Sequence, residues 1–184
     1  MRKLVLIDMI TLDGFYESNK GESFDKIDWH VVGDEWNDLS IQTLDNSDTI
    51  LFGRVTYEGF RSYWPTQNDP IADRINAKEK IVVSGTMKDA GWTNASVLEG
   101  WLKPGITALK ARPGKQIIIY GSGKLAQSLT TLGLIDEYHL AIAPVAIGEG
   151  TPLFEPNAPR LKLKLQSAKA QDTGVIYAIY TPAL

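Results

Sequence analysis

Short aliphatic runs bounded by polar residues or glycine recur along the chain and predict buried β-strands. They lie at residues 4–7, 49–52, 80–83, 95–98 and 117–119. Between these runs, apolar residues return at helical spacing and predict helices, the first of them over residues 31–45. Strands that alternate with helices predict an α/β fold, in which a largely parallel sheet carries helices on both faces.

The C-terminal third of the sequence has a different pattern. Residues 135–143 predict a strand that Pro144 ends, and a glycine-rich loop follows. Leucine and polar residues then alternate over residues 161–166, and Gly174 closes a turn signal before a last strand at residues 175–180. This part of the chain therefore predicts an antiparallel hairpin at the edge of the parallel sheet.

The stretch from Lys115 to Leu129 predicts a strand that passes through a glycine turn into a helix. Gly121 and Gly123 stand at the bend, and Ser122 between them is a candidate N-cap. Because the first backbone N–H groups of a helix lack partners and carry the positive end of the helix dipole, such a junction favours an anion such as phosphate. The run also fits the pattern G-x-G-x-x-A, but it lies too late in the chain, and no acid follows at the right distance, for a Rossmann fold. An ordinary strand-to-helix turn without a ligand is the alternative.

A second junction of the same kind follows the predicted strand at residues 49–52. Gly53 allows a ligand to approach the backbone closely, Arg54 brings a permanent cation with a planar fork suited to phosphate, and Thr56 brings a hydroxyl near the helix start. Two such junctions predict sites for two phosphates.

Composition narrows the class of protein. The chain has 184 residues, of which 43% are hydrophobic and 22% charged, and this is enough for one compact domain over residues 1–184. The net charge of −3 and the lack of a lysine and arginine cluster argue against a nucleic-acid surface. No apolar run reaches the ~18–20 residues of a transmembrane helix. The N-terminus lacks a signal-peptide core, so we expect a cytoplasmic protein with no membrane contact.

The residue counts also exclude several catalytic centres. The absence of cysteine excludes thiolate nucleophiles and cysteine metal sites, and two histidines, His30 and His139, are too few for most metal clusters or a serine triad. We expect His139 to be structural and no metal site to be present. Two phosphate-binding junctions without a metal set or a nucleophile favour a protein that binds a large phosphorylated cofactor, and a nicotinamide dinucleotide suits them best. Arg54 would then meet its 2′-phosphate or its pyrophosphate, and residues 121–125 the other phosphate.

Several motifs in a fixed order give the chain a family resemblance. They are Thr11-Leu12-Asp13-Gly14, residues 51–58 (LFGRVTYE), residues 83–86 (VSGT), residues 120–125 (YGSGKL), and residues 134–137 (LIDE) with Pro144, Gly148, Gly150 and Phe154 after them. With these motifs the chain resembles the dihydrofolate-reductase-like family, and within it the branch that contains the reductase domain of riboflavin biosynthesis. The resemblance covers nearly the whole chain.

The resemblance implies an NADPH-binding α/β sheet of about eight strands. It implies a homodimer as well, because dimers are frequent in the riboflavin branch. Its cofactor-binding residues would be Gly53, Arg54 and Thr56 at the phosphate-binding helix start, Ser84 at the adenosine 2′-phosphate, and Gly121, Ser122, Gly123, Lys124 and Leu125 at the pyrophosphate. The residues beside the nicotinamide and the substrate would be Thr11, Asp13, Gly14 and Trp29, with Asp8 and Asp28 as candidate proton donors.

Departures from the family pattern bear on the substrate. Counted back from Gly53, the position of the pterin-binding acid in dihydrofolate reductases falls on Asn37, and a shift of one residue would place Asp38 there. Asn37 is therefore the candidate substrate-binding residue of the first helix. Where many relatives have a small hydroxyl residue in the first strand, this chain has Asp8, which offers a hydrogen-bond partner or a proton relay to a polar heterocycle. The sequence also holds no counterpart of the deaminase domain that often accompanies the riboflavin-pathway reductase.

The sequence thus predicts an NADPH-dependent oxidoreductase that acts on a pterin-like or pyrimidine-like heterocycle. It would resemble either 5-amino-6-(5-phosphoribosylamino)uracil reductase or dihydrofolate reductase. Hydride would pass to a C=N or C=O bond, and Asp8, Asp28 or an ordered water would deliver the proton. The alternatives are a non-catalytic nucleotide- or small-molecule-binding protein on the same fold, and a protein-interaction module in which both junctions are empty turns.

Overall fold

A computed structural model gives the fold for residues 1–18, 29–30, 34–98 and 100–183. Asp28, one of the two predicted proton donors, lies outside these residues. No helix in the described part of the chain combines the length and the apolar character that a membrane span requires.

The elements follow the predicted alternation of strands and helices. The strands in the described residues are β1 (Leu4–Thr11), β2 (Phe15–Glu17), β3 (Ser47–Gly53), β4 (Glu79–Val83), β5 (Ala95–Leu98), β6 (Gln116–Tyr120), β7 (Glu137–Ala143), β8 (Thr151–Pro152), β9 (Leu163–Ala170) and β10 (Ile176–Pro182). The helices are α1 (Asp34–Asp45), α2 (Arg54–Tyr63), α3 (Pro70–Ala77), α4 (Leu102–Ala111) and α5 (Gly123–Thr131), with a 3₁₀ turn (Trp64–Thr66) after α2.

Eight of the strands form one sheet in the order β5-β4-β3-β6-β1-β7-β10-β9. Neighbouring strands from β5 to β7 run parallel, whereas β10 runs antiparallel to both β7 and β9. Every residue of β1 is buried, as expected for a parallel strand covered on both faces, and this explains the apolar run at residues 4–7. The predicted fold class is confirmed: a mostly parallel sheet with helices on both faces and an antiparallel C-terminal hairpin.

Alternate residues of the central strands pack against different helices. One face of the sheet contributes Leu4, Leu6 and Ile119 to a core shared with α4 and α5. The other face contributes Val5 and Ile118 to a core shared with α1, α2 and α3. As a result, α2 and α5 lie on opposite faces of the sheet.

β1 extends beyond its neighbour β6 at the carboxyl end of the parallel strands. The pairing of these two strands ends at Ile7 and Tyr120, and Gly121 donates its N–H to the carbonyl of Ile7 at 3.0 Å. β7 accompanies β1 further, as far as Thr11. Asp8 therefore has a strand on one side only, and the turn that begins at Gly121 takes the place of a strand on the other side.

A two-stranded arm, formed by β2 and β8, follows this end of β1. Asp13 holds the turn before β2, because its carboxylate accepts hydrogen bonds from the Thr11 hydroxyl at 2.6 Å and from the amides of Ile147 at 3.1 Å and Gly148 at 2.8 Å. The bond from Thr11, followed by that from Gly148, lowers the pKa of Asp13 below its usual value. Asp13 thus ties the segment after β1 to the loop after β7.

Lys80 is completely buried in β4 and closes the C-terminal end of α3. Its ammonium group donates to the carbonyls of Ile75 at 3.1 Å, Asn76 at 2.9 Å and Lys78 at 2.7 Å, and it lies 4.6 Å from the centre of the Trp92 ring. Because the last carbonyls of a helix have no partners within the helix, the lysine satisfies groups that would otherwise lack a donor. Burial, followed by the charge of Lys78, lowers the pKa of Lys80 to about 8.

We expect Lys80→Met to lower the free energy of unfolding by about 2–4 kcal/mol, because the carbonyls at the end of α3 lose their donor. Urea denaturation measures this change. The matched control is Lys88→Met, since Lys88 is exposed and its replacement should change the free energy by less than about 0.5 kcal/mol. Equal stability of the two variants would contradict the role of Lys80.

We expect Asp13→Ala to speed hydrogen exchange at the amides of Ile147 and Gly148 by about tenfold at neutral pH, because both amides lose their acceptor. Exchange measured by mass spectrometry or NMR reports this change. In the control variant Asp89→Ala, a carboxylate that accepts from Gly91 is removed instead, and exchange at residues 147 and 148 should not change. Slow exchange in both variants would show that other contacts hold the loop.

Candidate functional site

The two glycine junctions lie side by side at the carboxyl end of the parallel strands. β3 and β6 are neighbours, so α2 and α5, which follow them, begin next to each other on opposite faces of the sheet. The Ser122 hydroxyl joins the two junctions: it accepts a hydrogen bond from the Gly53 amide at 3.1 Å and donates to the Tyr120 carbonyl at 3.2 Å. Two segments that are distant along the chain therefore form one surface.

Neither of these two helices is capped by a side chain. Their N-caps are Gly53 and Ser122, and neither residue makes a side-chain bond to its own helix. Ser122 is the N-cap residue of α5, as predicted, but its side chain makes no capping bond, because its backbone is left-handed (φ 58°, ψ 43°) and its hydroxyl bonds to Gly53 instead. By contrast, the carboxylate of Asp69 caps α3. The first turns of α2 and α5 thus keep the uncapped N–H groups that bind anions.

Glycine is required on both sides of Ser122, for different reasons. Gly121 has φ 54°, in the left-handed region that glycine adopts without strain. Gly123 lies directly against the ring of Tyr16, and a Cβ atom at this position would overlap the ring. An aromatic side chain therefore covers the start of α5.

Tyr16 reaches this position from β2, the first strand of the arm. Its hydroxyl hydrogen-bonds to the side chain of Thr151 in β8, and burial, followed by the charges of Glu17 and Asp8, raises the pKa of Tyr16 to about 12. The phenol therefore stays protonated at neutral pH. Sequence reasoning did not name this residue; its signal in the sequence is the aromatic pair Phe15-Tyr16 directly after Asp13-Gly14.

Predicted cofactor residues line the first turns of both helices. Arg54 is exposed in α2 and forms an ion pair with Glu58, one turn later, at 2.9 Å. Thr56 is partly exposed in the same turn, and Lys124 is exposed at the start of α5. The side chain of Leu125 is buried in the core, so this residue offers only its backbone N–H.

Ser84 follows β4, the next strand along the edge after β3. Its hydroxyl accepts hydrogen bonds from the amides of Thr86 at 3.2 Å and Met87 at 3.0 Å, which shapes a serine turn. It also lies 3.4 Å from the Thr86 hydroxyl. This turn adds polar groups at the carboxyl end of β4, which lies between β3 and β5 in the sheet.

Asp8 is the buried acid of the site. It lies on the same face of β1 as Leu6 and Ile10, and it is 8% exposed. One carboxylate oxygen accepts a hydrogen bond from the Met9 amide at 3.0 Å, and the other is buried without a hydrogen-bond partner in the described part of the chain. Burial, opposed in part by the bond from Met9, raises the pKa of Asp8 to about 7. Near neutral pH this group can therefore hold a proton and release it.

Trp29 lies on the other face of β1, where it packs with Met9, Ala141 and Tyr177. Its indole N–H is buried, and no acceptor for it lies among the described residues. The ring of His30 meets the Trp29 ring edge-on, with centroids 4.5 Å apart, and burial lowers the pKa of His30 to about 4. This face of β1 thus holds a neutral histidine and a buried donor without a partner among the described residues, whereas the buried acid lies on the opposite face.

Asn37 is exposed in the first half of α1. It lies one turn before Ser40, whose side chain hydrogen-bonds to that of Tyr120 at the end of β6. Because side chains on a helix lean toward its N-terminus, the side chain of Asn37 leans away from Ser40 toward the start of α1. The predicted contact of Asn37 with a substrate stays a prediction.

Thr11, Asp13 and Gly14, which were also predicted to border the substrate, bond to the arm. Thr11 is fully buried, donates to Asp13 and accepts from the Phe15 amide at 2.9 Å. Gly14 has φ 87°, and its carbonyl accepts from the Leu153 amide at 2.9 Å. These residues hold the segment that leads into β2, and their contact with a ligand stays a prediction.

Comparison with known proteins gives the family. Residues 2–177 match the model of the RibD C-terminal domain. The Bacillus subtilis protein YyaP is 33% identical over an alignment of 188 positions, which covers 97% of this chain and 94% of YyaP. Among solved structures, a Shewanella sp. PV-4 protein assigned to riboflavin biosynthesis aligns with a TM-score of 0.76 and 20% identity over 99% of each chain. Dihydrofolate reductase from Enterococcus faecalis, complexed with NADP(H), aligns with a TM-score of 0.65 and 17% identity over 99% of this chain and 97% of the enzyme.

Both aligned structures have the fold that the sequence motifs predicted, and one of them is a dihydrofolate reductase. The family model spans both glycine junctions and the strand that carries Asp8. The resemblance inferred from the motifs is thereby confirmed, and the chain belongs to the family of RibD C-terminal domains with a dihydrofolate-reductase-like fold.

Proposed function

We propose that this protein is an NADPH-dependent reductase of a pterin-like or pyrimidine-like heterocycle. The observation that carries this proposal is the placement of two uncapped helix N-termini, joined by Ser122, beside the buried acid Asp8, one oxygen of which has no partner among the described residues. The helix ends suit a diphosphate, and the acid suits proton transfer. Membership of the RibD C-terminal domain family supports the reductase class.

Both junctions fit the pyrophosphate of NADPH. The first-turn amides of α2 and α5 would bind its oxygens, and the exposed cations of Arg54 and Lys124 would balance its charge. The hydroxyl of Ser84, one strand further along the edge, would bind the adenosine 2′-phosphate. When bound, NADPH supplies the hydride that reduces the substrate.

Asp8 would deliver the proton. Because its pKa is raised to about 7, a large share of the molecules holds the proton at neutral pH, and a protonated carboxyl group donates to a ring nitrogen or oxygen. Burial also keeps one carboxylate oxygen of Asp8 out of contact with solvent, and this would strengthen the hydrogen bond between that oxygen and a bound ring.

The buried acid suggests the substrate class. The second carboxylate oxygen of Asp8, which has no partner in the described part of the chain, requires a donor or, when protonated, an acceptor. A heterocycle with ring N–H and C=O groups offers either one, and leaving this buried oxygen unpaired costs free energy that a fitting ring would recover. The amide of Asn37 would bind a neutral N–H and C=O edge, where a carboxylate would select a different pattern.

We expect titration with NADPH to show binding, and Arg54→Ala to weaken that binding by about tenfold, because a charge-assisted bond to phosphate is lost. Isothermal titration calorimetry at low salt measures the affinity. Parallel titrations with NADH locate the contact: a loss confined to NADPH assigns Arg54 to the 2′-phosphate, and an equal loss for both dinucleotides assigns it to the pyrophosphate.

The matched control for this variant is Glu58→Ala. It removes the ion-pair partner of Arg54 and keeps the guanidinium, so the affinity for NADPH should stay the same or rise. If the unaltered protein binds neither dinucleotide, the proposed function is wrong.

We expect Asp8→Asn to lower turnover by roughly 10²–10⁴-fold and to change NADPH affinity by less than about twofold, because only the proton donor is lost. Oxidation of NADPH with a panel of pterins and pyrimidines measures turnover. In the unaltered protein, turnover should fall as the pH rises above about 7, since Asp8 then loses its proton. Binding of ring compounds without any NADPH oxidation would favour the non-catalytic binding protein instead.

The carboxyl group of Asp8 should also make stability depend on pH. Its pKa is about 7 in the folded protein against 3.8 ordinarily, so between these values the unfolded chain releases a proton that the folded protein keeps. The free energy of unfolding should therefore fall by roughly a few kcal/mol as the pH rises through this range, and the loss is complete above the folded pKa. Denaturant titrations at several pH values should show a growing advantage of Asp8→Asn across this range. An advantage that is independent of pH would contradict the raised pKa.

A further inference from the structure

Trp101 is 85% exposed, which is unusual for the indole side chain. The other described tryptophans are buried or partly buried: Trp29, Trp36, Trp64 and Trp92. Trp101 is the N-cap of α4 but makes no side-chain bond to that helix. Neither the core nor the capping of α4 therefore explains this residue.

The sheet topology places Trp101 in the same row as the proposed cofactor site. Leu98, the last residue of β5, pairs with Val83, the last residue of β4, and Ser84 follows directly. Trp101 comes shortly after Leu98, so it lies at the same edge as Ser84, on the side away from α2. The order of the strands then gives a row that starts at Trp101, passes the serine turn and the two glycine junctions, and ends at Asp8.

The length of this row matches an extended dinucleotide. The row crosses the strands β5, β4, β3, β6 and β1. Adjacent strands are about 4.8 Å apart, so the row is roughly 19 Å long. With hydride transfer beside Asp8 and the pyrophosphate at the glycine junctions, the purine base would arrive at the β5 end.

We propose that Trp101 is the stacking platform for the purine base of the dinucleotide, an inference that rests on the proposed NADPH-dependent function. A flat, solvent-accessible indole offers the large π-face on which a base stacks, and such stacking needs no hydrogen-bonding partner from the protein. The exposed ring, its place beyond Ser84 and the length of the row all point to this occupant.

Isothermal titration calorimetry with three ligands tests the inference. NADPH and adenosine 2′,5′-bisphosphate contain the purine, whereas reduced nicotinamide mononucleotide lacks it. We expect Trp101→Ala to weaken the first two by about tenfold and to leave the third unchanged. Trp101→Phe should restore most of the affinity, because it keeps an aromatic face.

The matched control is Tyr63→Ala. Tyr63 is also an exposed aromatic residue, 54% accessible, but it lies at the opposite end of α2 from the glycine junction, so its loss should leave all three affinities unchanged. Tryptophan fluorescence gives a second measurement: adenosine 2′,5′-bisphosphate should quench the emission of the unaltered protein, and Trp101→Phe should remove most of this quenching.

The outcomes separate this inference from the proposed function. If the unaltered protein binds NADPH and Trp101→Ala binds it equally well, the stacking platform is wrong and the reductase proposal stands. If the unaltered protein binds no dinucleotide, both are wrong. If Trp101→Ala changes only the sedimentation coefficient of the protein, the residue serves contact with another protein chain, and the stacking platform is again wrong.

Discussion

The candidate site depends on a difference in length between two neighbouring strands. β6 leaves the sheet after Tyr120, and the Gly121 amide makes the next bond, to the carbonyl of Ile7 in β1. If β6 continued beside Asp8, the acid would lie between two strands, and α5 would begin farther from β3. The Ser122 hydroxyl would then no longer reach the Gly53 amide. The buried acid and the paired helix starts are therefore two results of one chain turn.

The polar groups at the ends of α3 have partners within the protein, whereas those at the candidate site do not all have partners among the described residues. The start of α3 is capped by Asp69 and its end is satisfied by Lys80, as general physical chemistry requires of helix ends. At the carboxyl end of the parallel strands, α2 and α5 have no side-chain cap, and Asp8 keeps a buried carboxylate oxygen without a partner among the described residues. Exceptions to local rules concentrate at functional sites in natural proteins. A ligand with phosphates and a polar ring would satisfy both kinds of group.

The sequence predicted those features that depend on a few consecutive residues. Aliphatic runs and glycines located the eight strands of the main sheet, with its C-terminal hairpin, and both helix junctions, because these signals are local; the short strands β2 and β8 were not predicted. The bond between the junctions was not predictable, since Gly53 and Ser122 are 69 positions apart and the left-handed backbone of Ser122 sets the direction of its hydroxyl. The position of Tyr16 over Gly123 depends on pairing of β2 with the distant β8. The sequence predicted Asp8 as a candidate proton donor, but its raised pKa follows from burial, which only the assembled sheet provides.

The position of β1 in the sheet has a consequence for the order in which the site can form. β1 precedes all other strands along the chain, yet Leu4 pairs with Ile117, and its other neighbour, β7, begins at Glu137. Contacts this distant form late, because a long loop must close before they contribute any stability. On the ribosome, β1 therefore remains an unpaired apolar segment while most of the chain is synthesised. The segment that carries the proposed proton donor is thus exposed to aggregation until the last third of the chain emerges.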